Sequence, residues 1–281
     1  MLKLGAHVSI SGSIYQAVDR AVELKCNTFQ IFTRNPQGWR FKELDPKEVE
    51  EFIRKVKENK LVGPVAHAPY LPNLASPRDD IYKLSVETLR AELDRCGKLH
   101  VPYLVMHLGS HLGAGIEAGL KRLVEGCNKA LSSVRNNVMF VLEIMAGQKN
   151  SMGSTFEDVK RIYDGIEQKD RVGICFDTCH AFAAGYDLRD KKTLNETLRK
   201  FDGIIGLKLL MVVHLNDSKG ELGLGLDRHE HIGMGQIGKD GFRAVLHHPA
   251  LKKLPMILET PDDERGDYST DLNTLRKLAK S

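Results

Sequence analysis

Short β-branched apolar runs alternate with longer amphipathic stretches eight times along this chain, and few folds accommodate that rhythm. The runs lie near residues 3–8, 28–33, 64–68, 102–108, 138–144, 172–178, 210–216 and 255–260. Val138-Met139-Phe140-Val141-Leu142-Glu143 and Met256-Ile257-Leu258-Glu259 are too apolar for strands with one wet face, and they predict parallel strands covered by helices. Eight β-then-α units without a leftover favour a closed eight-stranded parallel β/α (TIM) barrel over an open doubly wound sheet. The length of 281 residues suits one such barrel, and no shift in composition divides it. A single α/β domain over residues 1–281 is expected.

Helix starts are written into the stretches between. Ser13-x-x-Gln16 and Ser154-x-x-Glu157 have capping-box spacing. Asp45, Pro46 and Glu48 supply an N-cap, a first-position proline and an acid in the first turn. Further helices are predicted over 80–100, 115–134, 190–206, 239–251 and 268–281. The longest loop, 216–238, separates the seventh run from its helix, and loops of that length are often functional.

No run of about eighteen apolar residues is present, so no membrane span is expected. The start, Met1-Leu2-Lys3-Leu4-Gly5-Ala6-His7-Val8, reads as a strand rather than a secretory leader. Five cysteines (Cys26, Cys96, Cys127, Cys175, Cys179) are odd in number and lack C-x-x-C spacing, which points to a reducing cytoplasm. Cys179, next to His180, reads as buried filler before it reads as a ligand. A net charge of +4 permits a polyanionic partner without requiring one.

The chemistry lies where the runs end. His67 follows the third, His107 the fourth, Glu143 the fifth, Asp177 the sixth, His214 the seventh and Glu259 the eighth. A parallel barrel brings those ends to one face, where active sites of this fold lie. His180, Asp227 and His229 join from adjoining loops. Alone, such a histidine is usually a hydrogen-bonded structural residue, and such a glutamate a surface group or helix-dipole partner. Six consecutive strand ends are different, because carboxylates packed together without Lys or Arg repel one another and divalent cations relieve the repulsion. Mixed imidazole and carboxylate donors point to zinc, then manganese or iron, rather than calcium or magnesium. Nine donors suit two or three ions, and clustered ions serve hydrolysis of phosphoryl groups. Among the other histidines, His100 and His247-His248 fall at helix ends. His7 and His111 are candidates to orient ligands, and His231 competes with His229.

At these residues the sequence resembles the endonuclease IV family of zinc-dependent apurinic/apyrimidinic endonucleases, over essentially the whole chain. The resemblance runs from Gly5-Ala6-His7-Val8-Ser9 to Leu258-Glu259-Thr260. Its most specific stretches are Phe176-Asp177-Thr178-Cys179-His180-Ala181-Phe182-Ala183-Ala184-Gly185-Tyr186-Asp187 and His214-Leu215-Asn216-Asp217. Asp227-Arg228-His229 with Gly233-x-Gly235-x-Ile237-Gly238 is nearly as telling. The resemblance implies the same barrel and three zinc ions: one on His67, His107 and Glu143, a second on Glu143, Asp177, His214 and Glu259, a third on His180, Asp227 and His229. It further implies incision of double-stranded DNA on the 5′ side of abasic sites, leaving a 3′-hydroxyl and a 5′-deoxyribose phosphate, by a monomer. Tyr70 and Leu71 match residues that the family inserts into DNA, and Arg228 is a further DNA-contact candidate. Gln37 stands where some relatives carry an inserted arginine, and Arg34 and Arg40 are the candidates to replace its charge. Ile144 replaces a polar neighbour of Glu143, and Trp39 either stacks on a base or packs its loop. Two other functions compete: a metal-dependent sugar isomerase or epimerase on a related barrel, and a lesion-binding protein without turnover.

Overall fold

The structure is a computed structural model that describes residues 2–40 and 42–281; Met1, at the start of the opening segment read as a strand, and Phe41 lie outside the described residues. The elements run β1 (Lys3–Ala6), α1 (Gln16–Glu23), β2 (Gln30–Phe32), α2 (Pro46–Glu58), β3 (Val65–His67), α3 (Asp79–Lys98), β4 (Tyr103–Met106) and α4 (Ile116–Ser133). They continue as β5 (Met139–Glu143), α5 (Phe156–Gly165), β6 (Val172–Asp177), α6 (Thr178–Ala183), α7 (Lys191–Ile204) and β7 (Leu210–His214). The last are β8 (Asp217–Ser218), β9 (His229–Glu230), α8 (Gly238–His247), β10 (Pro255–Leu258) and α9 (Tyr268–Leu278). Every predicted run forms its strand, one or two residues shorter at the C-terminal end, where the chain leaves the ladder to build the rim.

Among the described residues, eight parallel strands follow the order β1-β10-β7-β6-β5-β4-β3-β2. The seam between β1 and β2 is closed by a parallel bridge of His7 with Gln30, in which Val8 N–H donates to Gln30 O at 2.8 Å. Gly5 permits this close approach, since a Cβ there would lie 2.1 Å from Thr28 O. The result is a β/α barrel.

Strand periodicity sorts the side chains into two layers. Phe140, Leu142, Ile174, Phe176, Val213, Met256 and Leu258 face outward into the large core shared with the helices. Val65, Val105, Val141, Cys175, Val212 and Ile257 form a separate, fully buried cluster inside the barrel. Each of these six stands two positions before His67, His107, Glu143, Asp177, His214 and Glu259, so the period of two carries all six of those groups onto the same inward face one layer higher. An irregularity between β6 and β7 keeps the phase: Ile174 pairs with Leu210 but Cys175 with Val212, leaving Met211 as an extra residue. Without it Asp177 would pair with Val213 rather than His214, and His214 would turn out of the barrel.

Helix starts differ in detail from expectation. Asp45 caps α2 by accepting from Lys47 N–H at 2.8 Å, with Pro46 in the first turn. Thr155 rather than Ser154 caps α5, through Asp158 N–H. At α1 only half of the expected box forms: Gln16 Oε1 accepts from Ser13 N–H, while the helix begins at Gln16 without a side-chain cap. The long loop 216–238 contains the small antiparallel pair β8–β9, and α6 is a six-residue helix that periodicity could not announce. No helix among the described residues is long and apolar enough to cross a membrane.

Candidate metal centre

The barrel rim brings together all nine imidazoles and carboxylates anticipated from the sequence. Their donor atoms fall into three groups, each within 4.8 Å: His67, His107 and Glu143; Glu143, Asp177, His214 and Glu259; and His180, Asp227 and His229. Glu143, fully buried, belongs to the first two. Its Oε2 lies 3.0 Å from His67 Nε2 and 3.4 Å from His107 Nε2, while its Oε1 lies 3.1 Å from His214 Nδ1. One carboxylate thus faces two groups with different oxygens. In the second group His214 Nδ1 is 3.2 Å from Glu259 Oε2 and 3.7 Å from Asp177 Oδ2. In the third, Asp227 Oδ1 lies 3.2 Å from His180 Nε2 and 3.6 Å from His229 Nε2.

Hydrogen bonds at the back of the rings decide which nitrogen faces the centre. His67 Nδ1–H donates to Ala68 O at 2.7 Å, His180 Nδ1–H to Ile144 O at 3.0 Å, and His229 Nδ1–H to Glu259 O at 2.9 Å. Each leaves Nε2 as the inner nitrogen. His214 is reversed: its Nε2–H donates to Gln30 Oε1 at 2.9 Å, and Nδ1 faces in. The same Gln30 amide donates through Nε2 to Glu259 Oε1 at 2.6 Å and stands 3.0 Å from His7 Nδ1. Asn216 Nδ2 donates to Asp177 Oδ2 at 2.7 Å, and its Oδ1 accepts Glu259 N–H at 2.8 Å. Asp177 Oδ1 accepts His180 N–H at 2.8 Å and so caps α6.

The acids and rings of the cluster balance their charges against one another. Burial would raise the Glu143 carboxyl, but His107, His214 and His180 hold it well below the carboxylate range. Glu259 behaves likewise, its burial overcome chiefly by His214. Burial would lower His214 and His180, yet the surrounding groups, among them Glu259 and Glu143 for the former and Asp177 and Asp227 for the latter, raise both well above the usual imidazole value. His107 stays neutral, pushed down by burial to about 4. Protein groups alone therefore neutralise the acids only by placing protons on rings whose inner nitrogens are otherwise lone-pair donors. Two of those nitrogens, His180 Nε2 and His229 Nε2, are buried and make no well-aligned hydrogen bond among the described residues, with only the Asp227 carboxylate nearby at 3.2 and 3.6 Å. An unmet buried polar atom costs about 1–3 kcal/mol. Divalent cations would accept these lone pairs and supply the missing positive charge, so the residues fit a metal centre.

Of the residues expected to meet DNA, Tyr70 and Arg228 lie beside the donor cluster. Tyr70 is 62% exposed and stands edge-on to Phe32, its ring about 6.0 Å from those of His67 and His107. Leu71, Gln37 and Arg228 are also exposed, Arg228 directly between Asp227 and His229. Arg40 is exposed, but Arg34 is not available to replace an arginine at position 37. It is buried, with its Nε donating to Glu92 Oε1 at 2.6 Å and its Nη1 to Trp39 O at 2.9 Å. Trp39 is half-buried on that loop. Two histidine assignments are also corrected. His111 Nδ1 accepts Gly113 and Gly115 N–H at 3.3 and 3.1 Å and shapes its own loop. His231 lies between Asp271 and Asp263, 2.9 and 3.2 Å away, and does not compete with His229. Ile144 packs its side chain into the core, and only its carbonyl serves the site. Cys179 is buried, with its thiol 3.6 Å from Arg228 O and grouped with Asp177 and His229; burial pushes it up to about 12. Cys175 shares a group with Glu143 and His214, and burial holds its thiol at about 12 too.

Gln30 and Asn216 were not singled out from the sequence. The available signal was a lone amide inside the apolar run Phe29-Gln30-Ile31-Phe32, and another two residues after His214.

Barrel and rim together define a recognisable class: the sequence model of xylose isomerase-like TIM barrels matches residues 18–278. Within it, "Probable endonuclease 4" of Methanoculleus marisnigri is 54% identical over 280 residues, covering 99% of both chains. The protein of the same name from Nitrosopumilus maritimus is 51% identical, covering 95% of this chain and 96% of its own. The crystal structure of endonuclease IV from Thermus thermophilus superposes with a TM-score of 0.88 at 34% identity, covering 99% of each chain. The chain belongs to the endonuclease IV family.

Proposed function

We propose that this protein is a DNA-repair hydrolase, a metal-dependent apurinic/apyrimidinic endonuclease acting as one domain over residues 1–281. It hydrolyses the phosphodiester on the 5′ side of abasic sites in double-stranded DNA, leaving a 3′-hydroxyl and a 5′-deoxyribose phosphate. The names of its relatives support the reaction. The observation that carries the reading is the buried Glu143 carboxylate, facing two donor groups with its two oxygens while a third group closes the ring.

In this reading three zinc ions, with manganese or iron as substitutes, are held by His67, His107 and Glu143, by Glu143, Asp177, His214 and Glu259, and by His180, Asp227 and His229. Bound there, divalent cations supply water of lowered pKa and positive charge for a phosphoryl group. The protein's own part is to hold that charge rigidly, with His67, His180, His214 and His229 each fixed in orientation by a carbonyl or amide behind the ring. Tyr70 and Leu71 offer apolar surface at the lip of the cavity, the kind of group that wedges into an unstacked step. Gln37 and Arg228 can reach the sugar-phosphate backbone as neutral and charged donors. Residence in the cytoplasm and a monomeric state complete the reading.

A purified sample given a duplex with one abasic site is expected to yield a 3′-hydroxyl product, and to stop doing so when metal is chelated or Glu143 is changed to Gln. Elemental analysis of unchelated protein should give about three ions per chain. A fully metal-loaded sample that binds the lesion without cutting it would reject the hydrolase in favour of a lesion-binding protein. One or two ions with turnover of a sugar would favour the isomerase that the class name brings to mind.

A further inference from the structure

Two of the proposed ligands, Asp227 and His229, lie beyond any barrel strand, in the loop from β7 to α8. The β8–β9 ladder that supports them pairs only Asp217 with Glu230 and Ser218 with His229. A ladder that short does not hold its own shape in water.

What fixes it is Asp217. This side chain is fully buried and accepts five backbone N–H groups. Oδ1 takes Ser218 at 2.8 Å and Ile237 at 2.9 Å. Oδ2 takes Gly233 at 2.9 Å, Gly235 at 3.1 Å and Gly238 at 3.3 Å. The returning chain wraps so closely that a Cβ on Gly235 would lie 2.4 Å from Ser218 O and 2.6 Å from Asp217 Oδ1. The turn that follows His229 is thereby tied to the strand that pairs with it.

We propose that Asp217 is a positioning residue for one ion of the centre, the one held by His180, Asp227 and His229, and that the other two positions do not depend on it. The proposal rests on the three-ion reading above. An ionised carboxylate accepts at both oxygens, whereas an amide turns one side into a donor. In Asp217→Asn that donor faces N–H groups whichever way it lies, so either the Ser218 and Ile237 contacts or the three glycine contacts are lost. The loop carrying Asp227 and His229 then slackens. His67, His107, Glu143, Asp177, His214 and Glu259 stay on or beside the ends of barrel strands and keep their places.

The test uses the full chain and zinc alone, read by elemental analysis and by titration against buffered zinc, with far-UV circular dichroism as the check on folding. Asp217→Asn is expected to keep the wild-type spectrum and about two ions where the wild type holds about three, with the midpoint for the last ion raised at least tenfold. Gly235→Ala, which leaves the carboxylate but blocks the close approach, is expected to lose the same ion and decides the matter if Asp217→Asn does not fold. A folded variant that keeps the third ion at wild-type affinity, or that loses all ions together, overturns the proposal. A wild-type count short of three overturns the three-ion reading itself, and shows before any variant is made.

Discussion

Gln30 does three things with one side-chain amide: it orients His214, restrains Glu259 and meets His7. Outer partners of this kind are worth about 10–100-fold in metal affinity. Gln30→Leu removes all three contacts at similar volume, and competition against a chelator should show affinity lowered by that factor, while the metal-free protein loses about 1–3 kcal/mol in denaturant titration because His214 and Glu259 are left without their buried partner. His231 offers a different residue-scale prediction. Burial would lower its pKa, but Asp271 and Asp263, one at each ring nitrogen, raise it above the usual value. A raised native pKa stabilises the fold fully below the unfolded value of about 6.5, and the contribution fades as pH climbs through the native value. The denaturant midpoint of the wild type should therefore fall more between pH ~6 and pH ~9 than that of His231→Gln; equal slopes would refute the pairing. Chemistry at this scale was legible wherever a strand run ended in a donor, because the position of Glu143 or His214 in its strand dictates its direction. The roles of His111, His231 and Arg34 were not legible, since each depends on a partner distant in the chain or on a loop whose path spacing does not encode.

At the scale of elements, the loop from β2 to α2, which carries Gln37, is held by α3. Glu92 is buried between two arginines, accepting from Arg34 Nε at 2.6 Å and from Thr33 Oγ1 at 2.7 Å. Arg95 donates to Thr33 Oγ1 at 2.9 Å and to Lys42 O at 2.9 Å. A buried carboxylate so placed is costly to remove, because the guanidinium charge it balances stays behind in the interior. Glu92→Leu should destabilise the protein by about 3–5 kcal/mol in denaturant titration, with Glu92→Gln milder. Nothing in the sequence of α3 distinguishes Glu92 from its solvated neighbours, so this clamp appeared only with the fold. By contrast α2 was legible from Asp45 and Pro46, whose local chemistry has no competitor. At α5 two adjacent hydroxyl residues could serve, and Thr155 takes the role because α5 starts at Phe156, directly after it.

At the scale of the whole molecule, the proposed ions would join ends of six of the eight barrel strands, and ligands that bind only the folded form add stability by mass action. Free zinc at a thousand times its dissociation constant would contribute ~4 kcal/mol, or roughly 10 °C in a domain of this size. Chelation should lower the melting temperature by that order and restoration of zinc should recover it. An unchanged melting curve would argue that the rim is rigid without cations. The barrel itself was legible because eight repeats of one pattern leave little topological choice. Its seam was not, since the fit of Gly5 against Thr28 is a fact of two backbones meeting.

The layering inside the barrel has a practical corollary. The six donor side chains rest on an apolar floor of Val65, Val105, Val141, Val212 and Ile257, with Cys175 the one floor residue whose side chain reaches Glu143 and His214. Apart from Cys175, donors and scaffold are thus separable by depth. An engineer could exchange the upper tier for other donors and obtain a new catalyst, provided that the floor is left alone.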